Sequence, residues 1–151
     1  MTEMNPFAAP KISPEARRAS LAGSTATLAG RLMMASLFVV EGYGKMFSYA
    51  DVQSYMLQFG VDPRLLPLGI ATEFGGGILI GLGAFSRWTS LALAGFCVLT
   101  AILFHRGADA DAAIQLRKNL ALAGGFLVLA AHGGGAWSVD AWRRAPRKAL
   151  R

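Results

Sequence analysis

Residues 65–85, LLPLGIATEFGGGILIGLGAF, decide the fold. The stretch is 21 residues long and holds one charged side chain, Glu73. An α-helix rises about 1.5 Å per residue, so a run of this length crosses a hydrocarbon core of ~30 Å. Three more apolar blocks flank it: Leu28–Val40, continuing past a charged break to Phe47, then Trp88–Phe104 and Leu120–Trp137. None alternates with period two, which argues against barrel strands. Lipid offers backbone N–H and C=O groups no partner, and helices satisfy theirs internally. The expected fold is therefore all-α: an integral membrane four-helix up-down bundle with spans at about 28–47, 64–85, 88–105 and 119–137.

Composition agrees. The chain has 151 residues, enough for one domain, and is 54% hydrophobic and 16% charged, against about 25% charged in an average soluble domain. The net charge of +6 raises the question of nucleic acid. The basic residues sit at the ends of the apolar blocks and form no stripe interleaved with aromatics, so nucleic-acid binding is not expected. Cys97, the sole cysteine, lies inside the third block. That rules out an intramolecular disulfide or a CxxC pair and suggests a small buried apolar residue.

Residues 1–26, with Pro6, Pro10 and Pro14, read as a flexible cytoplasmic tail with a short helical stretch at Pro14–Ser20. Residues 27–140 form the transmembrane domain, and residues 141–151 a basic cytoplasmic tail. The long polar lead and the polar ending Glu41-Gly-Tyr-Gly-Lys45 argue against a signal peptide.

Positive charge tends to stay in the cytoplasm. With the N-terminus inside, ten basic residues lie inside, clustered at Lys11–Arg18 and Arg143–Arg151 and including Arg31 and Arg87. Five lie outside: Lys45, Arg64, Arg106, Arg117 and Lys118. The bias predicts that both termini lie in the cytoplasm. The Ser86-Arg87 pair reads as the short turn between spans two and three. Between spans one and two, Val52, Tyr55, Met56 and Phe59 recur at helical spacing, which predicts a short amphipathic helix on the outer interface. Asp62-Pro63 then opens span two.

Ionisable groups inside spans are costly and mark candidate sites. By depth, Glu41, Lys45, Glu73, His105, Lys118 and Asn119 all fall in or at the edge of the outer half of the bilayer, while His132 falls in the inner half. Gly69, Glu73, Gly77 and Gly81 recur every fourth residue, so Glu73 shares a small-residue face suited to helix packing. A carboxylate there is either paired, with Lys45 the nearest candidate, or protonated. Glu41 and Lys45 stand at i,i+4, where opposite charges meet. Simpler readings stand beside these: Lys45 snorkelling to head groups, His105 and Lys118 as interfacial anchors, and His132 as a packing histidine. No metal-ligand set is evident, nor a histidine pair for haem or a cysteine set for an iron–sulfur cluster.

The ordered set Arg31…Phe38…Gly42…Lys45, Glu73-x-Gly75-Gly76-Gly77, Gly81-Leu82-Gly83, Arg87, His105, Lys118-Asn119, Gly124-Gly125 and Gly135…Ser138-Val139-Asp140 resembles the DoxX family of bacterial inner-membrane proteins, over roughly residues 28–140. Glu41 has no place in that pattern. The resemblance implies a four-span bundle. Some relatives are small subunits of quinone-linked oxidase complexes, and others are tied to oxidative-stress complexes of the membrane. It therefore implies a redox-associated subunit, with a quinone head group in the polar layer and a redox partner protein supplying electrons. Phe38, Tyr43, Phe47 and Phe74 are the aromatics available to line such a pocket. A non-catalytic scaffold or chaperone is the alternative. A small-solute transporter, which in four spans calls for a homo-oligomer, ranks third. Whether the chain is an enzyme is left open.

Overall fold

A computed structural model describes residues 13–105, 107 and 110–145. The expectations for residues 1–12, Arg106, Asp109 and residues 146–151 lie outside the described residues.

Helix α1 spans Pro14–Phe47, 34 residues or roughly 50 Å at 1.5 Å per residue. It starts well before the apolar block. The Ser13 hydroxyl accepts the Ala16 N–H at 3.2 Å and Pro14 occupies the first turn, which makes a strong local start signal. The short helix expected at Pro14–Ser20 is thus the opening of α1, which runs on without a break through the residues up to 26 expected as tail. Ser48 (φ −103°, ψ 34°) ends α1, and α2 runs Tyr49–Gln58 as the predicted amphipathic helix. Met56 is buried with Leu66 and Ile70, and Val52 and Phe104 pack against that cluster.

Helix α3 covers Pro63–Leu82. The Asp62 carboxylate accepts the Arg64 N–H at 2.9 Å. After a 3-10 turn and a short α segment, one π-helical turn spans Ala71–Gly75, and α geometry resumes over Gly76–Leu82. Gly83, at φ 69°, stops the helix. The turn into α4 (Ser86–Phe104) is therefore Gly83-Ala84-Phe85, and Ser86 and Arg87 open the next helix instead of forming the turn. The cause is remote in sequence: the Asp140 carboxylate accepts the N–H groups of Phe85 (2.8 Å) and Ser86 (2.7 Å). Helix α5 spans Ala110–His132 and begins earlier than the predicted fourth span. Its end also moves, from the predicted 137 to His132, because Gly133 (φ 80°) and Gly135 (φ 76°) turn the chain. Helix α6, Val139–Arg144, follows, capped by Ser138.

The molecule is an all-α membrane protein. Helices α1, α3 and α4 are long and apolar enough to cross a bilayer. Helix α5 has 23 residues, with Arg117, Lys118 and Asn119 diluting its first half. Helix α1 packs along α3, and α4 along α5. A shared core, including Ala35, Phe38, Ile80, Leu93, Cys97, Ala123 and Phe126, joins the four. Phe38 meets Phe126 edge-on at 5.2 Å between ring centroids. The α1–α3 contact depends on glycine: a Cβ on Gly42 would lie 2.7 Å from the Phe74 backbone nitrogen, and one on Gly77 2.9 Å from Val39 Cγ2. Of the small-residue face expected around Glu73, Gly77 and Gly81 meet α1, whereas Gly69 has open space beside it.

Candidate functional site

Glu73 lies at the centre of the π-helical turn. Such a turn inserts an extra residue into the helix and re-aims the side chains around it. Glu73 as a whole is buried, at 8% exposure. Lys45 Nζ, from the last turn of α1, donates to both oxygens, at 2.6 Å to Oε1 and 2.5 Å to Oε2. Of the two states open to a buried carboxylate, the geometry is that of the ion pair. Lys45 does not snorkel, and it turns to Glu73 rather than to Glu41 at i,i+4. Glu41 stays exposed on the cavity side of α1.

A cavity of about 510 Å³ opens beside this pair. All six residues marked by depth, Glu41, Lys45, Glu73, His105, Lys118 and Asn119, lie on its wall. Asn119 is held by its own helix, with Nδ2 donating to the Gln115 carbonyl at 3.2 Å. Thr72, Thr100 and Gln115 add polar groups that the reading by charge passed over. Uncharged residues give no signal of cost within a span, and only helical phase from Glu73 and His105 could have found them. The formal charges on the wall, Lys45 and Lys118 against Glu41 and Glu73, sum to zero.

The rest of the wall is apolar. Helix α2 covers one side with Val52, Tyr55 and Met56. Tyr55 stacks on Phe104 at 5.7 Å, and Phe59 meets the same ring at 5.5 Å. The aromatic lining differs from the expected one. Of the four rings proposed, only Phe38 reaches the cavity, joined by Tyr55, Phe96 and Phe104. Tyr43 instead contacts Phe47 and Phe74 at 4.8 and 6.5 Å, away from the cavity. Phe74 follows Glu73 directly, so it sits about a quarter-turn round the helix.

The sequence profile of the DoxX family matches residues 26–106, more than half of the chain. The chain belongs to the DoxX family. It is 46% identical over 114 residues to inner membrane protein YqjF of Escherichia coli (strain K12), covering 75% of this chain and 88% of that one. It is 31% identical over 121 residues to inner membrane protein YphA of the same organism, covering 75% and 86%. No solved structure matches it significantly. This DoxX-family chain is thus a bacterial inner-membrane protein.

The opposite end of the bundle holds a feature not recognised from sequence. Arg31, counted there as a cytoplasmic anchor, is buried at 2% exposure. Its Nη1 donates to the Gly134 carbonyl, and its Nη2 to those of Gly81 (3.2 Å) and Trp137 (2.8 Å). The Gly81 carbonyl lies in the last turn of α3, where the backbone runs out of intrahelical donors, and those of Gly134 and Trp137 lie in the loop after α5. The guanidinium ties the end of α3 and that loop to α1. Its place one turn inside an apolar block was the available signal. His132 contacts the Val128 carbonyl at 2.9 Å and remains exposed at this end.

Proposed function

We propose that the cavity binds the head group of a lipid-soluble quinone, and that the protein serves as a redox-associated subunit of the inner membrane. The observation that carries this reading is the cavity of about 510 Å³, with apolar and aromatic walls, on which the Lys45–Glu73 pair, His105, Lys118 and Asn119 all lie. Ligand sites are typically of this size and this mixture. A wall with no net formal charge suits a neutral head group better than a carboxylate or phosphate. Lys118, Asn119 and Thr100 offer donors to quinone oxygens, and Tyr55 and Phe104 offer a face for the ring.

In this reading the quinone takes two electrons from a redox-active partner protein and two protons, and leaves as the quinol. The ion pair and His105 are the groups placed to hand over those protons. In this reading both termini are cytoplasmic, as the distribution of basic residues favours, and the polar layer lies in the outer half of the bilayer.

The test is thermal. A short-chain quinone added to purified protein should raise Tm, and Leu122→Trp, which fills the cavity, should abolish the rise. No rise at saturating quinone, or an equal rise in the filled variant, would favour the scaffold reading, in which the ion pair only fixes helix register.

A further inference from the structure

The end of the bundle that carries α6 combines exposed aromatics with arginines held in place. Trp88 and Trp142 are each 76% exposed, Trp137 54% and Phe85 56%. Tryptophan at the ends of apolar helices sits at head-group depth in a bilayer. Arg143 lies over the Phe85 ring at 5.2 Å. Arg144 Nε donates to the Asp140 carbonyl at 3.0 Å.

Neither arginine forms an ion pair with a carboxylate among the described residues, where the ion pair is Lys45–Glu73 at the other end of the bundle. Asp140, the acid closest in sequence, has each carboxylate oxygen engaged by a backbone N–H of the Phe85-Ser86 pair. An open groove of about 440 Å³ runs beside α6, lined by His132, Gly134, Gly135 and Arg144 among others.

We propose that this surface binds the head group of an anionic phospholipid. Guanidinium groups present planar donor forks matched to phosphate oxygens. The flanking rings set those forks at the depth where lipid phosphates lie. Charge complementarity selects the lipid class: a phosphodiester that brings no cation of its own satisfies the two arginines, whereas a zwitterionic head group returns a positive charge to them. The proposal is independent of the ligand of the large cavity.

The experiment supplies detergent-purified protein with phosphatidylglycerol or phosphatidylcholine and counts retained lipid by native mass spectrometry. The wild type should prefer phosphatidylglycerol by roughly ten-fold or more, given the attraction of each basic residue to anionic lipid. Arg143→Gln/Arg144→Gln should reduce that preference to near parity. Arg64→Gln/Arg117→Gln, the same change of charge at the other end, should keep it. A wild type without preference, a preference that survives Arg143→Gln/Arg144→Gln, or an equal loss in both double variants overturns the proposal. Tm of each variant confirms that the fold is retained.

Discussion

Lys45 Nζ stands 2.5 and 2.6 Å from the two carboxylate oxygens of Glu73, and the two residues belong to different helices. The pair fastens the end of α1 to the π-helical turn of α3 at the wall of the cavity. Its partners differ in exposure, with the lysine side chain at 28% and the glutamate at 10%. That difference makes their removal unequal.

Replacing Lys45 by Met leaves Glu73 buried without its cation, whether it stays charged or takes up a proton, and costs about 3 kcal/mol. Replacing Glu73 by Gln keeps an acceptor beside an ammonium that reaches solvent more easily, and costs about 1 kcal/mol. Denaturation in detergent should therefore find Lys45→Met the less stable of the two. The opposite order would mean that the pair is not the state of the folded protein.

Two nearby glycines in α1 should behave in opposite ways. A Cβ on Gly42 meets the backbone of Phe74, which cannot step aside, whereas one on Gly44 has open space around it. Gly42→Ala should separate α1 from α3 and cost about 1–3 kcal/mol through overpacking. Gly44→Ala should be neutral or stabilising by up to ~1 kcal/mol through helix propensity. Melting temperatures of the two variants decide it.

Arg31 holds three carbonyls with one planar group, and a lysine cannot reproduce that fork. Arg31→Lys should leave buried carbonyls without donors and cost about 2 kcal/mol or more. Arg87→Lys, at an exposed site, should stay within roughly 0.5 kcal/mol of the wild type. Near-equal melting temperatures would show that Arg31 is only a charge at the membrane edge.

Asp140 supplies a pH dependence. Burial works to raise its carboxyl, but the N–H groups of Ser86 and Phe85, with Arg144 nearby, outweigh that and hold it below the ordinary aspartate range. A group depressed in the folded state stabilises the fold above its unfolded pKa, about 3.9, and loses that contribution as pH falls through the folded value. Wild-type Tm should therefore drop more between pH 5 and the acid end than that of Asp140→Asn. Parallel curves would remove Asp140 as the cap of α4.

The bundle was legible because each of its causes is local: apolar length, the Asp62-Pro63 start, the spacing of Val52, Tyr55 and Met56. Six of the polar residues of the cavity wall were legible for a related reason, since a strongly polar group within a span is costly wherever the chain folds. What escaped depends on contacts distant in sequence. The cap of α4 comes from Asp140, more than fifty residues on. Arg31 looks like any basic anchor until the carbonyls of Gly81 and Gly134 close on it. The choice of Lys45 between Glu41 and Glu73 is likewise set by how closely Gly42 and Gly77 let α1 and α3 approach. The aromatic lining was misassigned because Phe74 shares a sequence neighbourhood with Glu73 but not a helix face.

A quinone site is tested most directly by what occupies the cavity beside Glu73. Protein purified gently from quinone-replete membranes, and in parallel from membranes of cells unable to make quinone, should be extracted and its lipid-soluble contents quantified. Near-stoichiometric quinone is expected in the first preparation, and its loss from Leu122→Trp purified from the same replete membranes. Quinone at background level in the wild type, or an equal amount in the filled variant, would contradict it.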